Sequence, residues 1–360
     1  MSQIFKNKIL LTGGGTGGSV APLLAVVDEL GHKDYEYLWL GTRKGPEREM
    51  VAGVKLGFKT QLNFKAIAAA KLRRYFSLRT LLAPVWLGIG FVQAFFIIMR
   101  WRPQWIISAG GFVSVPVVWA GWILRRKILI HQQDARPGLA NKLMAPFARV
   151  ITVAFEKSLE DYGKKVKWIG NPVRSMKYEV RNKKFFNLKS DLPIVLILGG
   201  GTGAKFINNL VMDSLSELTK ICQIIHVTGK GKQPENVPAS IANYCGYEFL
   251  SRGQMAEAQT RSDIVISRCG MSTLSELSYL GKPVILIPIP ESHQVENALI
   301  FEEQSAAIVL DQPVLEKTFF INKIKELLAD KEMQKQLGKN IGGAIKKGAA
   351  KELAKIISEN

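Results

Sequence analysis

The chain has 360 residues, of which 47% are hydrophobic, and this length favours two domains over one hydrophobic core. Its 49 basic and 30 acidic residues give a formal net charge of +19, which indicates an anionic partner or surface. Nucleic acid is disfavoured, because the sequence contains no zinc-finger spacing, no RNA-binding signature and no arginine-rich tail. The three cysteines are odd in number and lack metal-ligand spacing, as expected for reduced thiols in the cytoplasm.

Two glycine-rich turns each follow a predicted buried strand. Residues 8–12 form the first strand, which leads into residues 13–18 and then into a helix over residues 20–30. The second strand, residues 194–198, leads into residues 199–203, which repeat the letters GGGTG. This repetition predicts an α/β fold with two Rossmann-like domains whose parallel sheets face a central cleft. A nicotinamide cofactor is disfavoured, because no acidic residue ends the second strand of the first domain.

A third strand and turn predict an anion-binding site. Residues 263–267 form a short apolar run typical of a buried strand, and residues 268–270 form a turn before a helix. Ser272 or Thr273 is expected to cap this helix. Backbone N–H groups at a helix N-terminus attract phosphate, and Arg268 adds a positive charge beside them. The turn therefore predicts a diphosphate site.

The helix after this turn carries a carboxylate suited to a sugar. Glu276 lies one helical turn beyond the predicted cap, where it could accept hydrogen bonds from a ribose diol. We expect Gly281 to end the helix, with a strand over residues 284–289 and a polar loop over residues 291–294 after it. Taken alone, Glu276 is more typical of a solvated helix residue. Its assignment to a ribose therefore depends on the whole sequence of residues 262–297.

Further motifs lie along the chain in a fixed order. They are GGTGGSVAPLLA at residues 14–25, GGFVSVP at 110–116, HQQDARPGLAN at 131–141, GNPVR at 170–174 and HQVENA at 293–298. Together with the turn at residues 268–270, they resemble glycosyltransferase family 28, the MurG-like enzymes of the GT-B fold. These enzymes add N-acetylglucosamine to lipid I in bacterial cell-wall synthesis.

The resemblance implies an inverting, metal-independent transfer from UDP-N-acetylglucosamine to the muramoyl 4-hydroxyl of an undecaprenyl-diphosphate-linked muramoyl peptide, with no cofactor. It implies that the donor contacts Thr16, Gly17, Gly18, Asp134, Arg174, Gly201, Thr202, Arg268, Gly270, Ser272, Thr273, Glu276, His293, Gln294 and Asn297. It implies that the acceptor contacts Gly14, Gly15, Gly110, Gly111, Phe112 and Ser114.

Two departures from the family pattern concern the catalytic base. Ser19 stands where the family has a histidine, and an unassisted serine has too high a pKa to replace it. Asp134 stands where the family has an asparagine, at the acceptor site. Its carboxylate could serve as the base, or it could form an Asx turn before Pro137 and cap the next helix. Ser19 and Asp134 are the candidate catalytic residues, and both interpretations of Asp134 stay open.

A long apolar segment predicts contact with a membrane. Residues 81–99 carry no charge, and basic residues flank them on both sides. A bilayer span and a buried core helix are the alternatives, but Pro84, Gly88, Gly90 and Gln93 interrupt the segment. A helix docked on the anionic inner-membrane surface accounts for more of the pattern. The residues predicted to contact lipid are Trp86, Phe95, Phe96, Trp101, Arg73 and Arg74.

The motifs predict how the chain divides. We expect residues 1–170 to bind acceptor and membrane and residues 171–340 to bind the UDP-sugar. A final helix, within residues 341–360, is expected to pack back on the first domain. The implied location is the cytoplasmic face of the cell membrane, as a peripheral protein. The alternatives are a transferase with a different lipid acceptor, an epimerase of the same fold, and a catalytically silent protein that binds UDP-sugar or lipid.

Overall fold

A computed structural model describes residues 7–56, 60–69, 83–174, 185–186, 191–200, 203–233 and 241–359. Arg73, Arg74, Gly201 and Thr202, predicted as membrane or donor contacts, lie outside these ranges. The chain divides into two compact units. The first comprises Met1–Arg174 and Lys346–Asn360, and the second comprises Ser175–Ile345.

A parallel sheet forms the centre of the first unit. Its strands are β1 (Asn7–Thr12), β2 (Tyr35–Gly41), β5 (Asn63–Ala66), β6 (Trp105–Ser108), β7 (Lys127–Gln132), β8 (Val150–Val153) and β9 (Val166–Trp168). In the described residues the strand order is β5-β2-β1-β6-β7-β8-β9. A separate antiparallel pair joins β3 (Lys55–Leu56) and β4 (Thr60–Gln61).

Helices cover both faces of this sheet. Successive residues of a strand point to opposite faces, so Ile9 and Leu11 pack in one core while Leu10 packs in another. The helices are α1 (Ala21–Leu30), α2 (Glu47–Ala52), α3 (Ala83–Trp101), α4 (Ser114–Ile123), α5 (Leu139–Met144) and α12 (Ala349–Ser358). Short 3-10 helices occupy Ala145–Phe147, Glu156–Asp161 and Gly163–Lys165.

The second unit repeats this plan. Its strands are β10 (Ile194–Leu198), β11 (Gln223–Val227), β12 (Tyr244–Tyr247), β13 (Ile264–Ser267), β14 (Val284–Leu286) and β15 (Ile308–Val309). Within the described residues they form a parallel sheet in the order β12-β11-β10-β13-β14-β15. The helices are α6 (Lys205–Leu218), α7 (Arg252–Arg261), α8 (Met271–Leu280), α9 (His293–Glu303), α10 (Lys317–Ala329) and α11 (Lys331–Ala344), with a 3-10 helix at Gln312–Val314. The predicted pair of parallel-sheet α/β domains is confirmed.

Two local predictions around the third turn are wrong. The strand predicted over residues 284–289 ends at Leu286. The polar loop predicted over residues 291–294 gives way to α9, which begins at His293. Ser292 caps this helix, because its hydroxyl accepts a hydrogen bond from the Gln294 N–H at 3.2 Å.

Helix α12 completes a core of the first unit. Leu353, Ile356 and Ile357 are buried in the same cluster as α1 and β1. The indole N–H of Trp105 on β6 donates to the carbonyl oxygen of Ile357 at 3.2 Å. Residues separated by more than two hundred positions in sequence therefore share one apolar core.

This packing gives the first prediction. Replacing Leu353, which is 0% exposed, with alanine should lower the free energy of unfolding by about 2–5 kcal/mol, because a cavity replaces the side chain. Lys351→Ala, at an exposed position of the same helix, is the matched control and should change it by less than about 0.5 kcal/mol. Urea unfolding measures both variants. If Leu353→Ala were as stable as the wild type, α12 would not contribute to the core.

Candidate active site

The turn after β1 meets the turn after β6. Gly15, Gly110 and Gly111 have φ angles of 87°, 93° and 95°, a region that favours glycine. A Cβ atom on Gly111 would lie 2.6 Å from the carbonyl oxygen of Gly14, and one on Gly15 would lie 2.8 Å from the ring of Phe112. The structure thus brings these predicted acceptor residues together at the carboxyl ends of two neighbouring strands.

Two serine hydroxyls hold the backbone of these turns. The Oγ of Ser19 is buried and lies 3.4 Å from the carbonyl oxygen of Gly14 and 3.3 Å from that of Thr16. The Oγ of Ser114 donates to the carbonyl oxygen of Gly110 at 3.0 Å. A hydroxyl that donates to backbone carbonyls supports the turn conformation.

Three residues predicted to contact the UDP-sugar follow Gly14 and Gly15 in the turn after β1. Thr16 is exposed, and Gly17 and Gly18 are half-buried. The carbonyl oxygen of Gly17 accepts from the N–H groups of Val20 and Ala21, both at 3.1 Å, so it connects the turn to α1.

A buried carboxylate that the sequence analysis missed lies under the first turn. Glu47 is 0% exposed, and its two oxygens accept from the N–H groups of Thr42 at 2.7 Å and Gly15 at 3.2 Å. The Thr42 hydroxyl donates to it as well. A Cβ on Gly14 would lie only 2.4 Å from the carboxylate. Glu47 therefore connects the turn after β2 to the turn after β1. The available sequence signal is one acidic residue directly after Gly45-Pro46.

Asp134 lies just beyond β7, beside the same edge of the sheet. The adjacent Gln133 is 7% exposed, and its amide nitrogen donates to the carbonyl oxygen of Ala109 at 3.2 Å, which joins this segment to the β6 turn. Gly138 is the N-cap residue of α5, and no side chain forms a capping hydrogen bond to this helix. Asp134 therefore does not cap that helix, and this part of the structural alternative is wrong.

His131 of the same motif is a structural residue. Its Nε2 lies 2.8 Å from the Oδ1 of Asn171, and its Nδ1 lies 3.0 Å from the Oγ1 of Thr152. Burial lowers the pKa of His131 to about 4, although the hydrogen bond to Asn171 opposes this shift. Asn171 belongs to the GNPVR motif, His131 lies on β7 and Thr152 lies on β8. The two hydrogen bonds of the neutral His131 therefore hold this motif against both strands.

Arg174, predicted to contact the donor, forms an ion pair within the first unit. Its Nε and Nη2 donate to the two carboxylate oxygens of Asp28 on α1 at 2.6 and 2.9 Å. This bidentate geometry is the strong form of an arginine–carboxylate pair. Arg174 is the last residue of the segment Met1–Arg174, and this ion pair holds it against α1.

Arg268 lies at the carboxyl end of β13 in the second unit. It is 6% exposed, and its Nη1 donates to the carbonyl oxygens of Ile287 and Pro288 at 2.9 and 3.1 Å. Its Nε is buried and has no hydrogen-bond partner among the described residues. Burial lowers the pKa of Arg268, with an opposing contribution from Cys269. A buried guanidinium with an unsatisfied donor favours an anionic ligand.

The start of α8 differs from the prediction. Gly270 is the N-cap and no side chain caps the helix, so the predicted cap at Ser272 or Thr273 is wrong. Both lie in the first turn, and the first helical hydrogen bond runs from the Leu274 N–H to the Gly270 carbonyl. The N–H groups of residues 271–273 precede that bond and point out of the helix N-terminus. Gly281 ends the helix in the left-handed conformation, as predicted.

The first turns of α9 support the same loop. The amide oxygen of Gln294 accepts from the N–H groups of Cys269 at 3.3 Å and Ile289 at 3.2 Å. Asn297 is fully buried, and its amide nitrogen donates to the carbonyl oxygen of Cys269 at 3.1 Å. His293, the first residue of α9, is exposed. Gln294 and Asn297 thus fix the turn that carries Arg268.

Glu276 faces α7 from the second turn of α8. Its Oε2 accepts from the amide nitrogen of Gln259 at 2.8 Å. Burial raises the pKa of Glu276, and the hydrogen bond from Gln259 and the charge of Arg252 oppose that shift. The sequence analysis missed Gln259, because its contact with Glu276 depends on how two helices pack.

Comparison with known proteins identifies the family. The model of the glycosyltransferase family 28 N-terminal domain matches residues 9–153, and that of the C-terminal domain matches residues 194–355. A Bacillus cereus protein named UDP-N-acetylglucosamine--N-acetylmuramyl-(pentapeptide) pyrophosphoryl-undecaprenol N-acetylglucosamine transferase 2 is 36% identical over 362 residues. The match covers 98% of this chain and 99% of that protein. The chain belongs to glycosyltransferase family 28.

Two further comparisons agree with this assignment and with the fold. A Clostridium kluyveri protein, whose name describes the same transferase activity, is 36% identical over 328 residues, which cover 89% of this chain and 91% of its own. The crystal structure of Acinetobacter baumannii MurG matches with a TM-score of 0.74 at 22% identity and covers 98% of this chain and all of that one. The resemblance to the family and the GT-B fold are therefore confirmed.

The contacts of Glu47 give the second prediction. Glu47→Gln replaces one acceptor oxygen with an amide that faces N–H donors, so the free energy of unfolding should fall by about 1–3 kcal/mol. Sugar transfer should fall as well, because the glycine turn loses its support. Glu49→Gln, an exposed carboxylate on the same helix, is the control. Thermal unfolding and transfer assays that match the wild type would contradict this role for Glu47.

Proposed function

We propose that this chain transfers N-acetylglucosamine from UDP-N-acetylglucosamine to the muramoyl 4-hydroxyl of lipid I and so makes lipid II for peptidoglycan. The observation that carries the proposal is the turn between β13 and α8 in a family 28 chain. Arg268 is buried there and lies two residues before Gly270, the N-cap of α8, so the turn contributes a fixed positive charge and the N–H groups of a helix N-terminus, which together suit a nucleoside diphosphate.

The donor half of the proposal assigns a role to each group. Arg268 and the N–H groups of residues 270–273 bind the diphosphate, and Glu276 accepts hydrogen bonds from the ribose. His293 and Gln294 contact the hexose. Asn297 acts through the turn, since its side chain is fully buried and bonded to Cys269. When the glycosidic bond breaks, Arg268 and the helix N-terminus stabilise the departing UDP, a role that a metal ion has in other transferases.

The acceptor half needs a base. We assign Asp134 to it, because it follows β7 at the edge where the turns after β1 and β6 meet, and because Ser19 is engaged with backbone carbonyls. The muramoyl hydroxyl oxygen attacks the anomeric carbon, its proton passes to Asp134, and UDP leaves with the bonding electrons. The configuration at the anomeric carbon is therefore inverted.

A transfer assay tests the two halves separately. Labelled N-acetylglucosamine should pass from UDP to a short-chain lipid I analogue with EDTA present. Asp134→Asn should lower kcat by about 100-fold or more, because it removes the base. Glu276→Ala should weaken UDP binding.

Each contrary outcome of this assay has a definite meaning. Loss of transfer in EDTA would contradict metal independence. An Asp134→Asn variant with full activity would show that another group accepts the proton. UDP binding without transfer to lipid I would favour the alternative of a different lipid acceptor, or of a silent binding protein.

Helix α3 presents one apolar face to solvent. Its exposed large side chains are Val85, Trp86, Ile89, Val92, Phe96 and Met99, which recur at helical spacing. The opposite face packs on the first unit through Ala83, Gly90, Ala94 and Ile98. Phe95 and Trp101, also predicted to contact lipid, are half-buried and pack against that core.

We propose that this face docks on the cytoplasmic surface of the cell membrane. In the described residues α3 is the one helix long and apolar enough to span a bilayer, but one of its faces is buried within the protein. A span would have to detach the packed face of α3 from its core. Helix α4 packs against α3, and Trp122 and Ile123 at its end are more than half exposed. Arg100 on α3 and Arg125 after α4 are exposed as well.

Liposome binding tests the docking face. The double variant Trp86→Ser/Phe96→Ser should reduce binding to vesicles containing phosphatidylglycerol by at least about tenfold, because each aromatic side chain contributes about 1.5–3 kcal/mol when buried. Val314→Ser/Phe319→Ser removes two exposed apolar side chains of the second unit and should leave binding unchanged. Sedimentation with the vesicles measures both. Equal binding by all three proteins would contradict the proposal.

A further inference from the structure

Gln259 makes a specific contact with the carboxylate assigned to the ribose. It lies in the last turns of α7 and is 1% exposed. Its amide nitrogen donates to the Oε2 of Glu276 at 2.8 Å. A hydrogen bond from a neutral donor to a carboxylate is stronger than one between two neutral groups. This contact therefore restricts the orientation of the Glu276 side chain.

The other end of the Gln259 amide is unsatisfied. Its Oε1 is buried and has no hydrogen-bond partner in the part of the chain that the structure describes. Gln334, another buried glutamine of the second unit, is bonded at both ends. Its amide nitrogen donates to the carbonyl oxygens of Leu327 and Leu328, and its amide oxygen accepts from Lys331.

Unlike Gln334, Gln259 has one side-chain hydrogen-bond partner among the described residues, and that partner is Glu276. A buried acceptor without a donor destabilises the folded state. An apolar side chain of similar size at position 259 would avoid that penalty, so stability alone does not account for the glutamine. What Gln259 supplies in return is one hydrogen bond, and the acceptor of that bond is Glu276.

The electrostatics of Glu276 agree with this. Burial raises its pKa and so favours the neutral acid, whereas the bond from Gln259 and the charge of Arg252 favour the carboxylate. A carboxylate accepts hydrogen bonds at both oxygens, whereas a protonated acid would compete with the ribose hydroxyls as a donor. Gln259 therefore favours the form of Glu276 that can receive a diol.

We propose that Gln259 is a positioning residue for ribose recognition, which fixes the Glu276 side chain in the orientation that accepts the ribose hydroxyls. This inference rests on the proposed function, in which Glu276 contacts the ribose of the UDP-sugar. It adds a residue on α7 to a donor site otherwise built from α8, α9 and the turns before them.

The experiment compares UDP with 2′-deoxy-UDP, which lacks one of the two hydroxyls. Isothermal titration of the full chain gives the dissociation constants for wild type, Gln259→Met, Glu276→Gln and the double variant. Gln259→Met keeps the length of the side chain and removes the hydrogen bond. It should weaken UDP binding by about tenfold and 2′-deoxy-UDP binding much less, so that the preference for the ribonucleotide shrinks. In the Glu276→Gln background the same change should have little further effect.

A control separates this role from a loss of stability. Gln334→Met removes the bonds of a buried glutamine whose partners are on α10 and α11, so it should lower the melting temperature and preserve the UDP preference. Equal weakening of both nucleotides by Gln259→Met, or additive effects in the double variant, would overturn the inference. Wild-type protein that binds neither nucleotide would instead overturn the proposed function, and the inference with it.

Discussion

The parallel arrangement of the strands is the constraint on which the candidate sites of both units depend. In a parallel sheet every carboxyl end lies at one edge, so the turns after those strands come together whatever their distance in sequence. In the first unit this brings the turns after β1, β6 and β7 to one edge. In the second it brings the Arg268 turn beside the glycine turn after β10. Functional residues can therefore be scattered along the chain and still meet.

Buried polar groups give these turns their precision. Glu47 holds the first glycine turn, His131 holds the GNPVR segment, and Asn297 holds the Arg268 turn. Each of these side chains is nearly inaccessible and is bonded to a segment distant in sequence. An unmade hydrogen bond in such a place is costly, so each bond selects one loop conformation. The surfaces offered to substrates are thus shaped by residues beneath them.

The sequence predicted the elements of this structure better than it predicted their supports. Strand 194–198 and the end of α8 at Gly281 follow from apolar runs and glycine, which are local signals. The predicted N-cap of α8 and the predicted loop at the start of α9 are wrong, because several small polar residues near each helix start are equally suitable as the cap. Glu47 and Gln259 escaped notice, since a buried partner across the fold leaves no spacing pattern in the chain.

The place of α12 also bears on how the protein is made. Leu353, Ile356 and Ile357 belong to the core of the first unit but are synthesised after the entire second unit. The ribosome extends the chain at about 5–20 residues per second, and domains generally fold as they emerge. The second unit can therefore mature while the first still exposes an apolar surface on α1 and β1. When α12 leaves the ribosome, it covers this surface and completes the core of the first unit.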